Sequence, residues 1–422
     1  MGDPETLLRR LLDGGIAAVS PANVVSRSLP APPAGRTVVV GGGKGAAAMA
    51  RAVEDHWPDP LSGLVVTPYG HTVPCRHIEI IEAAHPVPDH NGVAAARRML
   101  RVVRALSAED LVLCLLSGGA SSLLSLPAAG VGLEAKRAVT RSLLLSGATI
   151  AEINCVRKHL SAIKGGRLGA ACAPARIVTL AISDVPGDDL STIGSGPTVA
   201  DPTTLADAIS VLAGHGIEPP PAVAAALAEE SNETPKPGDT GLAAGETFLI
   251  ATPQTALEAA AKVARCSGVT PVILGDRIEG EARDVAKAHA AVARRIATSA
   301  QPVAAPAVVL SGGEVTVTVR GNGRGGPNLE FLLALAIALD GQPGVHALAV
   351  DTDGRDGTAD AAGATVGPAV LSRAGDLHMD PRSHLARNDS YGFFASLGSL
   401  IVTGPTLTNV GDFRAIVVAA GK

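Results

Sequence analysis

Short aliphatic runs and longer stretches of helical spacing alternate along the whole chain. Leu7, Leu8, Leu11, Leu12 and Ile16 fall on one face at 3.6-residue spacing, which predicts a helix over 5–19. β-Branched residues at 37–40 predict a buried strand, and the alanine-rich run at 46–55 a helix. Strands are expected next at 63–67 and 78–81, a helix at 91–106, a strand at 111–116, a helix at 133–146 and a strand at 176–182. A connector rich in proline and alanine follows at 214–241. Behind it the alternation restarts, with strands expected at 247–250, 269–274, 307–310, 315–319 and 346–350. Helices are expected between them at 255–265, 281–297 and 329–339. Strands alternating with helices predict an α/β protein: two α/β domains with largely parallel sheets, the N-terminal one Rossmann-like. The domains are expected at 1–235 and 240–422, around an interdomain cleft.

Polar, glycine-containing loops follow most of these strands, and in α/β sheets functional loops lie at strand C-termini. The first is Gly41-Gly42-Gly43-Lys44-Gly45, between a strand and a helix. Strand, glycine turn and helix together place backbone N–H groups and a helix N-terminus at one point, which suits a phosphate. Gly41-x-Gly43-x-x-Ala46 also fits the dinucleotide fingerprint. The next strand, however, ends in Thr67-Pro68-Tyr69, with no acid for an adenine ribose. Lys44 is followed by Gly45, not Ser or Thr, so this is not a Walker A loop either. The bland reading is a structural turn with a solvent-facing lysine.

A second glycine turn, Ser117-Gly118-Gly119-Ala120-Ser121-Ser122, could cradle another anion or simply start a helix. Asp184, Asp188 and Asp189 follow one strand; Asp351, Asp353 and Asp356 follow another. Magnesium bound with a nucleotide needs only one or two such carboxylates, whereas turn-forming aspartates are the ordinary alternative. The second cluster lacks the ligand spacing and closing glutamate of a calcium loop. Arg324 lies among glycines, Gly321-Asn322-Gly323-Arg324-Gly325-Gly326, where its planar fork could meet a carboxylate or phosphate. His85 and His159 have no second histidine at metal-ligand spacing, and no Gly-x-Ser-x-Gly elbow is present.

Composition narrows the function classes. Hydrophobic residues make up 46% of the 422 and aromatics 2%, so packing rests on Ala, Val, Leu and Ile. Net charge is -5 with no basic run, which argues against nucleic acid as a partner. The five cysteines form no Cys-x-x-Cys pair and read as reduced thiols. The acidic start Met1-Gly2-Asp3-Pro4-Glu5 does not resemble a signal peptide, and no apolar run reaches the ~18 residues of a membrane span. A soluble, cytoplasmic protein is expected; the oligomeric state stays open.

Several segments in this order resemble the glycerate 2-kinase family, whose C-terminal part is called the MOFRL domain. They are Gly41–Gly45, His85-Pro86-Val87-Pro88-Asp89, Ser117–Ser121, Ser183-Asp184-Val185 through Gly196-Pro197-Thr198, Ser311-Gly312-Gly313-Glu314, Gly323–Asn328, Asp351–Gly354 and Thr403–Val410. The resemblance covers nearly the whole chain apart from the 214–241 connector. It implies ATP-dependent phosphorylation of D-glycerate to 2-phosphoglycerate, with ATP and Mg2+ as cofactors. Lys44 and Arg324 match family positions regarded as active-site residues. With phosphoryl-transfer chemistry in mind, these two would bind phosphoryl oxygens or the glycerate carboxylate. Backbone N–H groups of Gly41, Gly42, Gly43, Ser117, Gly118, Gly119, Ala120 and Ser121 would hold nucleotide phosphates. Magnesium would sit on one or two of Asp184, Asp351, Asp353 and Asp356, and Asp189 is the candidate base. Family members have also been labelled hydroxypyruvate reductase; an NAD(P)H-dependent reductase is the alternative, which the missing ribose acid disfavours.

Overall fold

The computed structural model describes residues 3–242 and 245–420. The chain divides into two compact units. The first comprises Pro21–Ser183 and Asp188–Ile250; the second comprises the residues up to Ser20, Asp184–Gly187, and those from Ala251 onward. This differs from a sequential split at 235–240 because the N-terminal helix belongs with the C-terminal half.

The first unit holds strands β1 (Thr37–Gly42), β2 (Leu61–Pro68), β3 (Ile78–Ala83), β4 (Leu111–Leu116), β5 (Arg176–Ile182) and β6 (Gly245–Ala251). Their order is β3-β2-β1-β4-β5-β6, the Rossmann arrangement. β1 and β4 are buried along their whole length, as near-continuous aliphatic runs require in a sheet covered on both faces. They pair in parallel, with Gly42 opposite Leu116. From β1 the chain builds outward through β2 and β3, then crosses back to β4. The loops after β1 and β4 therefore leave the sheet side by side where the strand order reverses, the usual ligand position in such sheets.

Between β4 and β5 lies a helical layer. Helices Leu133–Leu145 and Ile150–His159 bury Val139, Leu143, Ile153 and Val156 in an aliphatic core shared with Leu212, Val223 and Leu227. The second of these helices starts with a capping box, Thr149 and Glu152 each bonding the other's backbone.

The second unit holds β7 (Thr270–Glu281), β8 (Ala307–Thr316), β9 (Val345–Asp351), β10 (Gly363–Val366), β11 (Leu400–Ile401) and β12 (Asp412–Val418), in the order β11-β10-β9-β12-β8-β7. The α/β layering holds here too. Parallel pairing runs between β1 and its neighbours in the first sheet; in the second it is confined to β7–β8, and β12 lies antiparallel between β8 and β9. Helix Pro327–Leu339 is apolar nearly all round and accordingly buried, including Phe331 and Leu335. Helix Pro4–Val19 is N-capped by Asp3 and turns Leu7, Leu8, Leu11 and Leu12 inward. It packs against helix Pro253–Cys266 so closely that a Cβ at Gly15 would lie 3.3 Å from the Ala256 carbonyl.

One expected loop is strand. Ser311-Gly312-Gly313-Glu314 lies inside β8, with Ser311 opposite Arg414 and Gly312 opposite Phe413. Small residues suggest a turn, but here they let the neighbouring strand approach. Gly313 has φ 120°, and a Cβ on it would stand 2.3 Å from the Ile278 carbonyl. Among the described residues no helix is long and apolar enough to cross a membrane.

Candidate active site

The loop after β1 is laid against the loop after β4 by backbone geometry. Gly43 has φ 138°, and a Cβ there would lie 2.2 Å from Ser117 Oγ. The Lys44 amide donates to the Gly118 carbonyl at 2.8 Å, and the Gly45 amide to Ser117 Oγ at 2.9 Å. Gly41, Gly42, Gly43, Ser117, Gly118 and Ala120 are thereby buried, while Lys44, Gly119 and Ser121 keep partial exposure. The loop after β3 joins them: a Cβ on Gly119 would lie 2.9 Å from the His85 ring and 3.5 Å from Lys44 Cγ. Helix Ala46–His56 starts just beyond Lys44.

Asp189 follows β5 and is exposed. Its carboxylate accepts from the Ser191 amide, the Ser191 hydroxyl and the Thr192 hydroxyl, each at 2.9 Å. Partial burial raises this carboxyl, but those bonds outweigh it and hold the group below the usual aspartate range.

Beside these loops the first unit encloses a cavity of about 350 Å3. Its wall includes His85, Gly119, Ser121, Lys136, Arg157 and Lys164, with Arg137 and Arg141 also lining it and no aspartate or glutamate among the lining residues. Lys136 comes from helix Leu133–Leu145 and Arg157 from helix Ile150–His159. Lys164 is buried and donates to the Ser121 carbonyl at 2.6 Å and the Gly194 carbonyl at 3.3 Å. Ser121 Oγ lies 2.7 Å from Ser195 Oγ, which in turn donates to Asn154 Oδ1 at 3.1 Å. Burial pushes Lys136 down to about 7, with the charges of Arg157 and Arg167 adding to the shift. Burial likewise lowers Lys164 well below the lysine range.

The other candidates lie in the second unit. Arg324 stacks 4.1 Å from the centre of the Tyr391 ring and pairs with Asp360 at 3.1 Å. The glycines around it approach the chain's own 387–390 segment: a Cβ on Gly323 would lie 2.6 Å from the Arg387 carbonyl. Asp184 accepts from Asn409 Nδ2 at 2.8 Å. Asp351 Oδ1 accepts from the Asp353 amide, and Asp353 Oδ1 from the Arg355 amide. Both neighbourhoods meet the 409–411 loop, where Thr352 Oγ1 donates to the Gly411 carbonyl at 2.7 Å. Asp356 is spent on a helix start. Its two oxygens accept from the amides of Asn328 and Leu329, at the start of helix Pro327–Leu339. Burial pushes its carboxyl up to about 7, and nearby Asp412 adds to the shift. Among the described residues no group of three or more His, Cys, Asp or Glu is arranged to hold a metal ion.

No sequence motif marks Lys136, Arg157 or Lys164. The signal for Lys136 was a lysine on the apolar stripe Leu133, Val139, Leu143. For the other two it was the density of cations within 154–167.

Two family models match the chain: a domain of unknown function, DUF4147, over residues 7–228, and the MOFRL family over 307–412. A protein named D-glycerate 2-kinase from Thermotoga maritima is 41% identical over 417 residues, 98% of each chain. A crystal structure of glycerate kinase from the same organism superimposes with a TM-score of 0.89 at 40% identity, covering 99% of this chain and 100% of that one. The chain belongs to the glycerate 2-kinase family. A relative from Agrobacterium vitis, 55% identical over 98% of this chain and 94% of its own, carries the provisional name hydroxypyruvate reductase. In this glycerate 2-kinase family member, the β2 end where a nicotinamide-dinucleotide enzyme places its ribose acid is Thr67. That side chain is fully buried and donates to the Gly43 carbonyl at 3.2 Å.

Proposed function

We propose that this protein transfers the terminal phosphoryl group of ATP to the 2-hydroxyl of D-glycerate. The observation that carries the reading is the 41% identity to D-glycerate 2-kinase across 98% of both chains. The buried Thr67, where a ribose acid would stand, supports it against hydride transfer.

Phosphoryl transfer asks a protein mainly to position groups and neutralise charge. Lys44, held by the lock between the β1 and β4 loops, would contact the transferring phosphoryl group or the glycerate carboxylate. Arg324 offers the second cation, its plane fixed by Tyr391. The amides of the glycine loops through Gly119 and Ser121 would hold nucleotide phosphates. One or two of the carboxylates of Asp184, Asp351 and Asp353 would hold a magnesium ion brought with the nucleotide, which would supply charge neutralisation at the phosphoryl oxygens. Asp356 is left out of that set because both its oxygens are spent on a helix start. Asp189 would orient the attacking hydroxyl and accept its proton as the P–O bond forms. Its lowered pKa keeps it ionised at neutral pH, so its oxygens can accept a hydrogen bond from that hydroxyl.

The test supplies D-glycerate, ATP and magnesium, follows ADP and phosphoglycerate, and runs hydroxypyruvate with NADH in parallel. ADP and phosphoglycerate formed in equal amounts are expected. NADH consumption without ADP would install the reductase reading, which the name of the Agrobacterium vitis relative favours.

A further inference from the structure

We propose that the cavity of the first unit is the seat of the nucleotide's polyphosphate chain, gripped by Lys136, Arg157 and Lys164. The proposal deepens the kinase reading and rests on it for the identity of the nucleotide.

Charge carries the argument. Lys136 is 5% exposed, and its ammonium has no hydrogen-bond partner. Lys164 is 1% exposed and bonds only neutral oxygens, from Ser121 and Gly194. Arg157 makes no hydrogen bond or ion pair with any described residue through its side chain, and burial lowers its pKa. A buried cation without a carboxylate is strongly disfavoured, so two buried lysines and a half-buried arginine around one cavity mark a place where the compensating anion arrives from outside. The same helix shows the alternative. Lys158, next to Arg157 in sequence, is buried like Lys136 but is paired with Asp201 at 3.3 Å. His159 is paired with Glu233 at 3.0 Å. Where a cation serves the fold, this helix has a carboxylate for it; around the cavity it has none.

The ligand's class follows from amount of charge and space. Glycerate brings one negative charge, too little for three such cations with Arg141 beside them, Arg137 being already paired with Glu134. A nucleoside triphosphate brings about four, spread over a chain that several cations can share. The cavity volume of about 350 Å3 lies in the range of sites that enclose a whole small molecule. Its wall also has an apolar part, Val87, Leu133 and Leu144, against which a base can lie, Val87 and Leu144 being exposed. Gly119 and Ser121 line the same cavity, so the β4 glycine loop and the three cations address one ligand.

Calorimetric titration of the full chain with magnesium and a β,γ-imido ATP analogue tests this, beside separate titrations with 2-phosphoglycerate and D-glycerate. Lys136→Met and Arg157→Gln are compared with the parent protein. Each variant should weaken the analogue at least about tenfold while D-glycerate affinity changes less than about twofold. Lys136→Met should also melt no lower than the parent, because it removes a buried charge that lacks a partner. Arg157, only partly buried, provides a variant that tests the seat even if Lys136→Met does not fold. Unchanged analogue affinity in a folded variant would overturn the proposal. So would losses confined to 2-phosphoglycerate or D-glycerate, or a parent protein that binds no analogue. Analogue binding that depends on Lys136 in a protein without glycerate turnover would leave the seat standing and sink the kinase reading alone.

Discussion

Lys44 and Lys136 belong to the same unit and do opposite things with a lysine's charge. Lys44 is held at a tight loop by backbone bonds and keeps partial exposure. Lys136 is closed in, and burial pushes it down to about 7. Replacing Lys44 by Ala removes a cation from the reaction without touching the Gly43–Ser117 lock. Turnover should fall by at least about a hundredfold with an unchanged melting temperature; near-normal turnover would remove Lys44 from the mechanism. Arg324→Lys keeps the charge and loses the plane that stacks on Tyr391. Its ion pair with Asp360 is exposed, so stability should move by less than about 1 kcal/mol. A drop in kcat of roughly a hundredfold is expected, because an ammonium cannot reproduce the fork. At this scale flanking glycines single out Lys44 and Arg324 as candidates in the sequence. The sequence hides Lys136, whose place on an apolar face becomes informative only once the wall opposite it is known to lack carboxylates.

At the scale of elements, His289 reports on the packing of the second unit. Its Nδ1–H donates to the Val285 carbonyl at 2.8 Å, and Nε2 lies 2.9 Å from the Ser311 hydroxyl. Burial pushes its pKa down to about 4 from the ordinary 6.5. Below pH 6.5 the unfolded chain takes up a proton that the folded ring refuses until about pH 4. The second unit should therefore lose stability over that interval, approaching roughly 3 kcal/mol from this group. Asp356 works in the opposite sense, since its raised pKa of about 7 makes the folded state take up a proton first on acidification. Denaturant titrations of the parent and His289→Gln at pH 7 and 4.5 separate the two: the gap between the proteins should shrink on acidification, and a constant gap would refute the assignment. The aspartates of 351–356 show why local pattern runs out. Asp351, Asp353 and Asp356 look alike in sequence, and the last two are both buried, yet only Asp356 bonds the amides that begin a helix containing Phe331 and Leu335. The strands of the first unit were legible because a parallel sheet buried on both faces writes itself as unbroken aliphatic runs. β10 and β11 carry no such run, and β8 reads as ending at 310, because small polar residues in a paired strand look like a turn.

For the molecule as a whole, the chain order and the folding units disagree at the N-terminus. The helix Pro4–Val19 precedes the Rossmann-like unit yet belongs with the other one, where Leu8 and Leu11 are fully buried. Leu11→Ala should lower stability by about 2–5 kcal/mol, and limited proteolysis should then cut the second unit first; earlier cutting of the first unit would contradict the division. The glycerate 2-kinase family likeness spans both units, from residue 7 to residue 412 by the two family models. The central claim is chemical: phosphorus leaves ATP and arrives on the oxygen at C2 of glycerate. Phosphorus-31 NMR of the reaction of ATP, magnesium and D-glycerate reads this directly. A new monoester resonance split into a doublet by the single proton on C2 is the predicted result. No new phosphorus resonance, from protein that consumes NADH with hydroxypyruvate, would contradict it.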